Sequence, residues 1–367
     1  MKSSKYSNIE AKAISMLEAH REKINSPGIS VAVAIQDKII WQAASGWRNI
    51  EQREPMSVDT ILRIGSTSKA LTSAGLARLV DQGTISLDDT LGEILTPLPN
   101  PNWSSIKIRN LASHTAGIPH YGDNTELMGL VKTVSLNTQY NNVTDAVKLF
   151  DKSDLLFEAG DKFEYSSLGT VLLSLALQKR ADMPYQQWMK DQVFKPLGLI
   201  NTIEENVKAP NPKQATFYIQ ESDTLRVKPW RPVNLSHRLA GGGWLSTSAD
   251  LAMFGQGFLS YDFISESTRS DFWTPQALNN GEINHQQYAI GWRVHDVDLG
   301  EKIGQVKYAH HGGVSRGAQS FLMIIPEYGF SLAVNINTKT KTFSEFSAIV
   351  KPLTKLFIEA SLANTLK

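Results

Sequence analysis

Cysteine is absent from this chain of 367 residues. That excludes disulfides, thiolate nucleophiles and cysteine-type zinc sites together, while naming no compartment. No run of about eighteen apolar residues occurs, so no segment is expected to span a membrane. Residues 1–24 are polar and charged, with no apolar stretch of the kind a signal peptide needs, and none is expected in this chain. A surplus of charge is also lacking. The 37 Lys and Arg against 36 Asp and Glu leave a net charge of +1, which argues against nucleic acid as a partner because phosphate binding needs a clustered positive face. What remains is an ordinary globular composition, 41% hydrophobic with a mean hydropathy of −0.22. The length exceeds what one average core supports, so two subdomains, or one domain with an insertion, are expected.

Strand patterns gather at the two ends of the sequence. Ile29, Val31, Val33 and Ile35 alternate with Ser30, Ala32 and Ala34, a strand with one small-residue face for a helix to press on. Ile39 to Trp47 returns beside it. Four further strands are expected at 288–294, 305–311, 318–325 and 330–336, the last two joined by the turn Pro326-Glu327-Tyr328-Gly329. Helical periodicity marks 8–25, the stretch after Ser66, 143–152, 168–181, 185–195 and 248–259, the last with a capping box from Thr247 to Asp250. Leu111 to Ile118 reads as a short helix ending at Gly117. The expected fold is α/β (α+β): a central antiparallel sheet built from residues 1–75 plus 286–367, flanked by helices, with a large helical insertion over 76–285 in a single domain.

Three stretches bear residues suited to chemistry. In Ser66-Thr67-Ser68-Lys69 a serine and a lysine stand three apart at the start of a helical pattern, hence on one face. A hydroxyl needs a base to take its proton, and an amine kept neutral by burial can serve. N–H groups of a helix's first turn suit an anion forming beside Ser66. Tyr165-Ser166-Ser167 opens a second helix, and its phenol could relay protons. His311-Gly312-Gly313-Val314 leads into an apolar strand. Its paired glycines would let substrate backbone lie close, and the Val314 N–H could join that of Ser66 as an oxyanion hole.

These three elements, in this order and at these separations, resemble the serine β-lactamase and penicillin-binding protein family. The closest likeness is to its class C branch and, within that, to the mitochondrial β-lactamase-like subgroup with its bacterial relatives. Pro27 to Val33, Leu111 to Ile118, Phe194 to Leu199 and Leu245-Ser246-Thr247 are also family-like. The resemblance implies a serine hydrolase that cleaves an amide, peptide or ester through an acyl-enzyme, needing neither cofactor nor metal. Ser66 would be the nucleophile, Lys69 its base partner, Tyr165 the second acid/base, and His311 the counterpart of a lysine in class C enzymes. Substrate would be held by Ser167, Gly312 and Gly313. Two departures weaken the case for efficient penicillin hydrolysis. Ser167 stands where β-lactamases use an asparagine, and His311 lacks a permanent charge. The same subgroup is associated with filament assembly, which makes a non-catalytic scaffold the rival reading and a homo-oligomer an expected partner.

Other candidates read as structural. Gly313-Val314-Ser315-Arg316-Gly317 matches an esterase nucleophile elbow, but that motif needs a strand-turn-helix and a histidine later in the sequence, and neither is present. His114 and His120 lack an acidic ligand triad. His310 and His311 are adjacent in a strand and point to opposite faces.

Overall fold

The computed structural model describes residues 6–121, 138–221 and 226–365. Its framework is a seven-stranded sheet formed by β1 (Gly28–Ile35), β2 (Lys38–Asn49), β3 (Glu54–Pro55), β4 (Arg293–Asp298), β5 (Gln305–Ser315), β6 (Ala318–Ile325) and β7 (Phe330–Ile336). The order is β3-β2-β1-β7-β6-β5-β4, and every pairing is antiparallel. The two ends of the chain therefore meet at β1 and β7, where Val31 lies opposite Val334. The expected α/β fold, with its antiparallel sheet built from both ends and flanked by helices, is what the chain adopts.

The alternation in β1 sorts its side chains as its sequence implies. Ile29, Val31, Val33 and Ile35 join an apolar cluster on one face, under α1 (Ser7–Lys23) and α5 (Val350–Thr365). Ala32 and Ala34 face the other cluster, which contains α2 (Ser68–Asp81), α3 (Ser167–Ala181) and α4 (Ser248–Leu259). Small residues let α4 approach closely: a Cβ on Gly255 would lie 2.7 Å from that of Ser331. Thr247 caps α4 by accepting from the Asp250 N–H at 3.1 Å.

The helix expected at 143–152 spans only Val143–Val147, and three elements nearer the site also differ from the sequence reading. The segment before Gly117 is helical only over Ile108–Ala112, because His114 takes a left-handed φ of 63° that ends the helix early. Strand β4 starts at Arg293, not Tyr288; the earlier residues form a tight turn in which Gly291 has φ 78°. Strand β5 runs through to Ser315, so the glycines follow no break in the sheet.

Gln256 ties α4 to the ends of the two central strands, β1 and β7. Its amide nitrogen donates to Ser331 Oγ, Gly329 O and Ala34 O at 2.8, 3.1 and 3.2 Å, and its oxygen accepts from Asp37 N. Replacing it by leucine keeps the volume but strands these groups. Gln256→Leu is expected to lower stability by about 1–3 kcal/mol in urea titration, and an unchanged midpoint would contradict this packing account.

Candidate active site

Ser66 lies not in α2 itself but in a 3₁₀ turn, Gly65–Thr67, that runs directly into it. The geometry between Ser66 and Lys69 survives this difference, with Lys69 Nζ 3.2 Å from Ser66 Oγ. Two features hold the turn. The backbone of Gly65 has φ 51°, and a Cβ there would meet the Val314 backbone at 2.7 Å. Arg63, just upstream, is buried in a two-pronged ion pair with Glu205 at 2.7 and 2.8 Å and donates to the Arg316 carbonyl. It thereby fastens the approach to Ser66 to the end of β5.

Lys69 is 2% exposed and, among the described residues, meets no carboxylate. Its Nζ contacts Ser66 Oγ, Ser167 Oγ at 2.9 Å and Gly241 O at 2.6 Å. A void touching this residue measures about 10 Å³, at the lower edge of what one water requires. Burial, then the positive charges of Arg238 and Arg293, hold the lysine well below its usual pKa. A neutral amine offers two N–H donors and one lone pair. The Gly241 carbonyl can only accept, so it takes one donor. That leaves one donor and one lone pair for the two hydroxyls, and the lone pair can take the proton of Ser66.

The Tyr165 segment comes from the start of α3. Its ring lies 4.7 Å from Lys69 Nζ, and its hydroxyl bonds to Ser66. Burial pushes the phenol up to about 12, offset in part by that bond and by Arg293, so it is a protonated donor at neutral pH. Two histidines read as structural brace this segment. His114 Nδ1 accepts from Ser166 N at 3.3 Å and His120 Nδ1 from Ser167 N at 3.1 Å. The His114 ring packs 4.2 Å from that of Tyr165. Ser167 is buried with its hydroxyl turned to Lys69, which occupies the group expected to hold substrate.

His311 is fully buried. Its Nδ1 is 2.8 Å from the Gly312 carbonyl and its Nε2 is 2.8 Å from the Tyr288 hydroxyl. Because a carbonyl only accepts, Nδ1 bears the proton, and Nε2 accepts from Tyr288. Burial first, then Arg293 and Lys69, hold this imidazole well below its usual pKa, so it is neutral. On the opposite strand face His310 pairs with His295 at 2.9 Å.

The glycines that follow are demanded by packing. A Cβ on Gly313 would overlap the Ile64 carbonyl oxygen, and one on Gly312 the Phe343 ring. Pairing of β5 with β4 ends at His310, opposite Arg293, so residues 311–315 present an edge on that side. The Val314 side chain is exposed there. Ser315 ends a strand that turns back into β6, so no nucleophile elbow exists at that position.

Tyr288, Arg293, Arg238 and the Gly241 carbonyl reach this cluster without a motif to announce them. The only hint in the sequence is the glycine run at 241–243, which lets backbone lie against Ser66 and Ser167: a Cβ on Gly241 would meet Ser167 O at 2.9 Å.

This α/β fold brings Ser66, Lys69 and Tyr165 together in one buried cluster. The Beta-lactamase family model matches residues 13–350, and the chain belongs to that family; it is a serine hydrolase. It is 26% identical to the mouse serine beta-lactamase-like protein LACTB, mitochondrial, over 87% of this chain and 73% of that protein. Among solved structures it is similar to the octameric penicillin-binding protein homologue from Pyrococcus abyssi, with TM-score 0.74, 22% identity and coverage of 94% and 77% of the two chains. The D-amino acid amidase from Ochrobactrum anthropi SV3 superposes with TM-score 0.77, 20% identity and coverage of 97% and 100%.

Buried neutral histidines make stability depend on pH. His114, His310 and His311 have folded pKa values well below the unfolded 6.5. The unfolded chain therefore binds protons first as pH falls, and stability present above pH 6.5 is lost below it. Lys69, whose folded pKa is also lowered, acts in the same direction wherever only its unfolded form is protonated. The urea midpoint is expected to drop steeply between pH 7.5 and pH 5, with a loss on the order of 2 kcal/mol for each such histidine. A midpoint flat across that window would refute the neutral, buried assignment.

Proposed function

We propose that Ser66 is acylated by an amide, peptide or ester, that Lys69 takes its proton, and that Tyr165 supplies a proton to the leaving group. The observation that carries this reading is the shell of Lys69, which among the described residues holds no carboxylate and leaves one lone pair for a hydroxyl. As Oγ adds to the substrate carbonyl, its proton moves to Nζ. The oxyanion lies between the N–H groups of Ser66 and Val314. Collapse breaks the bond to the amine or alkoxide, which leaves with a proton through Tyr165. Water then attacks the acyl ester, with the same groups working in reverse.

Substrate enters, in this reading, between the α/β part (1–75 with 286–367) and the helical part (76–285), with its backbone along the edge of residues 311–315. Ser167, engaged by Lys69, and His311, uncharged, support small amides and esters over penicillins as substrates. A second reading, assembly into a homo-oligomer, draws on the octameric Pyrococcus abyssi homologue. Sedimentation velocity tests it, and a single monomer boundary overturns it.

Intact mass spectrometry after exposure to a fluorophosphonate should show one adduct, located on Ser66. Ser66→Ala should lose the adduct and all turnover of p-nitrophenyl esters, and Lys69→Ala nearly all. Tyr165→Phe should slow turnover by about 10²-fold or more. Robust hydrolysis by either Ser66→Ala or Lys69→Ala defeats the assignment, as does a Tyr165→Phe rate within about twofold of wild type.

A further inference from the structure

The cluster around Tyr165 holds a positive charge that no carboxylate among the described residues balances. Arg293, the first residue of β4, places its guanidinium 5.5 Å from the Tyr165 ring centroid and 5.2 Å from that of Tyr288. Its Nε donates to Gln286 Oε1 at 3.4 Å. Among the described residues, no carboxylate lies within ion-pair distance of it. A partly buried arginine ordinarily finds an acid, since a desolvated charge without a partner is costly. Here the two tyrosine faces take that place.

The neighbouring groups give this charge a use. Facing Lys69 and Tyr165 are His114 and His120 from the loop after Ala112, Arg238 from the turn at 236–238, Tyr288, and His311 from β5. Tyr121 lies beside His120. None of these is an acid. His311 is neutral and its two ring nitrogens are occupied by Gly312 and Tyr288. Arg238 packs over the ring of Tyr121. The cation closest to the phenol ring, besides the Lys69 amine itself, is therefore Arg293.

We propose that Arg293 is a positioning residue for the hydrolytic reaction: its unpaired guanidinium, lying against Tyr165 and Tyr288, supplies the fixed positive charge that the neutral His311 does not. The proposal rests on the Ser66–Lys69–Tyr165 reading above. With the charge in place, the proton on Lys69 is disfavoured before reaction, and negative charge on the Tyr165 oxygen is favoured when its proton is given to the leaving group. Burial and Arg238 act on Lys69 alongside Arg293, so removing Arg293 should move the site without abolishing it.

The test is the pH profile of fluorophosphonate labelling of Ser66 in the full chain, followed by kcat/KM for a neutral p-nitrophenyl ester. Removing the charge raises the lysine's pKa, so Arg293→Gln should move the acid limb of both profiles upward by about one pH unit. Arg293→Lys should restore most of the shift. Gln286→Glu keeps the arginine and sets a carboxylate beside its Nε; it should move the limb the same way by a smaller amount, and it serves if Arg293→Gln does not fold. Limbs within about 0.2 unit of wild type in folded variants overturn the proposal while leaving the Ser66 chemistry standing. A change confined to KM, and only for anionic substrates, also overturns it, because that assigns Arg293 to substrate binding. Absence of labelling in the wild type overturns the underlying reading instead.

Discussion

A buried lysine amine with no carboxylate beside it among the described residues is the constraint on which this site depends. Lys69 is enclosed by Gly241 O, Ser167 and Ser66, with cationic groups beyond. A buried lysine commonly finds an acid and becomes an ion pair. Without one, the low-energy form is the free amine, and its lone pair has a serine hydroxyl within reach. The fold tolerates the loss of solvation because each proton and lone pair of the amine has a partner.

Close backbone approach makes that enclosure possible. Gly65, Gly241 and Gly313 each stand where a side chain would strike another segment. Three stretches distant in sequence can thus meet around one hydroxyl. The Arg63–Glu205 pair fixes the chain just before Ser66, and Trp244 fixes it on both sides: its carbonyl accepts from Ile64 N and its N–H donates to Ser68 Oγ. These contacts are rigid supports for a group that has to be held within a few tenths of an ångström.

Much of this was readable in advance, for a local reason. The spacing of Ser66 and Lys69, the small-residue face of β1 and the apolar alternation of the C-terminal strands are properties of short windows, and the structure follows them. What could not be read depends on long-range meeting. His114 and His120 share no pattern with Tyr165, yet each accepts an N–H from the segment that follows it. Tyr288 reads as the start of a strand and instead turns inward to fix His311. The glycines at 312 and 313 suggested room for substrate, whereas their nearest neighbours are Phe343 and Ile64. Sequence periodicity does not report which remote atom fills the space beside a missing Cβ.

The protonation state of Lys69 is the point on which the account turns, and it can be observed without any substrate. Heteronuclear NMR on chain labelled with ¹³C,¹⁵N-lysine, assigned by comparison with Lys69→Ala, reports the amine directly through its Cε and Nζ shifts. The account predicts a neutral Nζ at pH 7 that takes up a proton only on acidification. A lysine still charged at pH 7, titrating near its ordinary value of about 10.4, would contradict it.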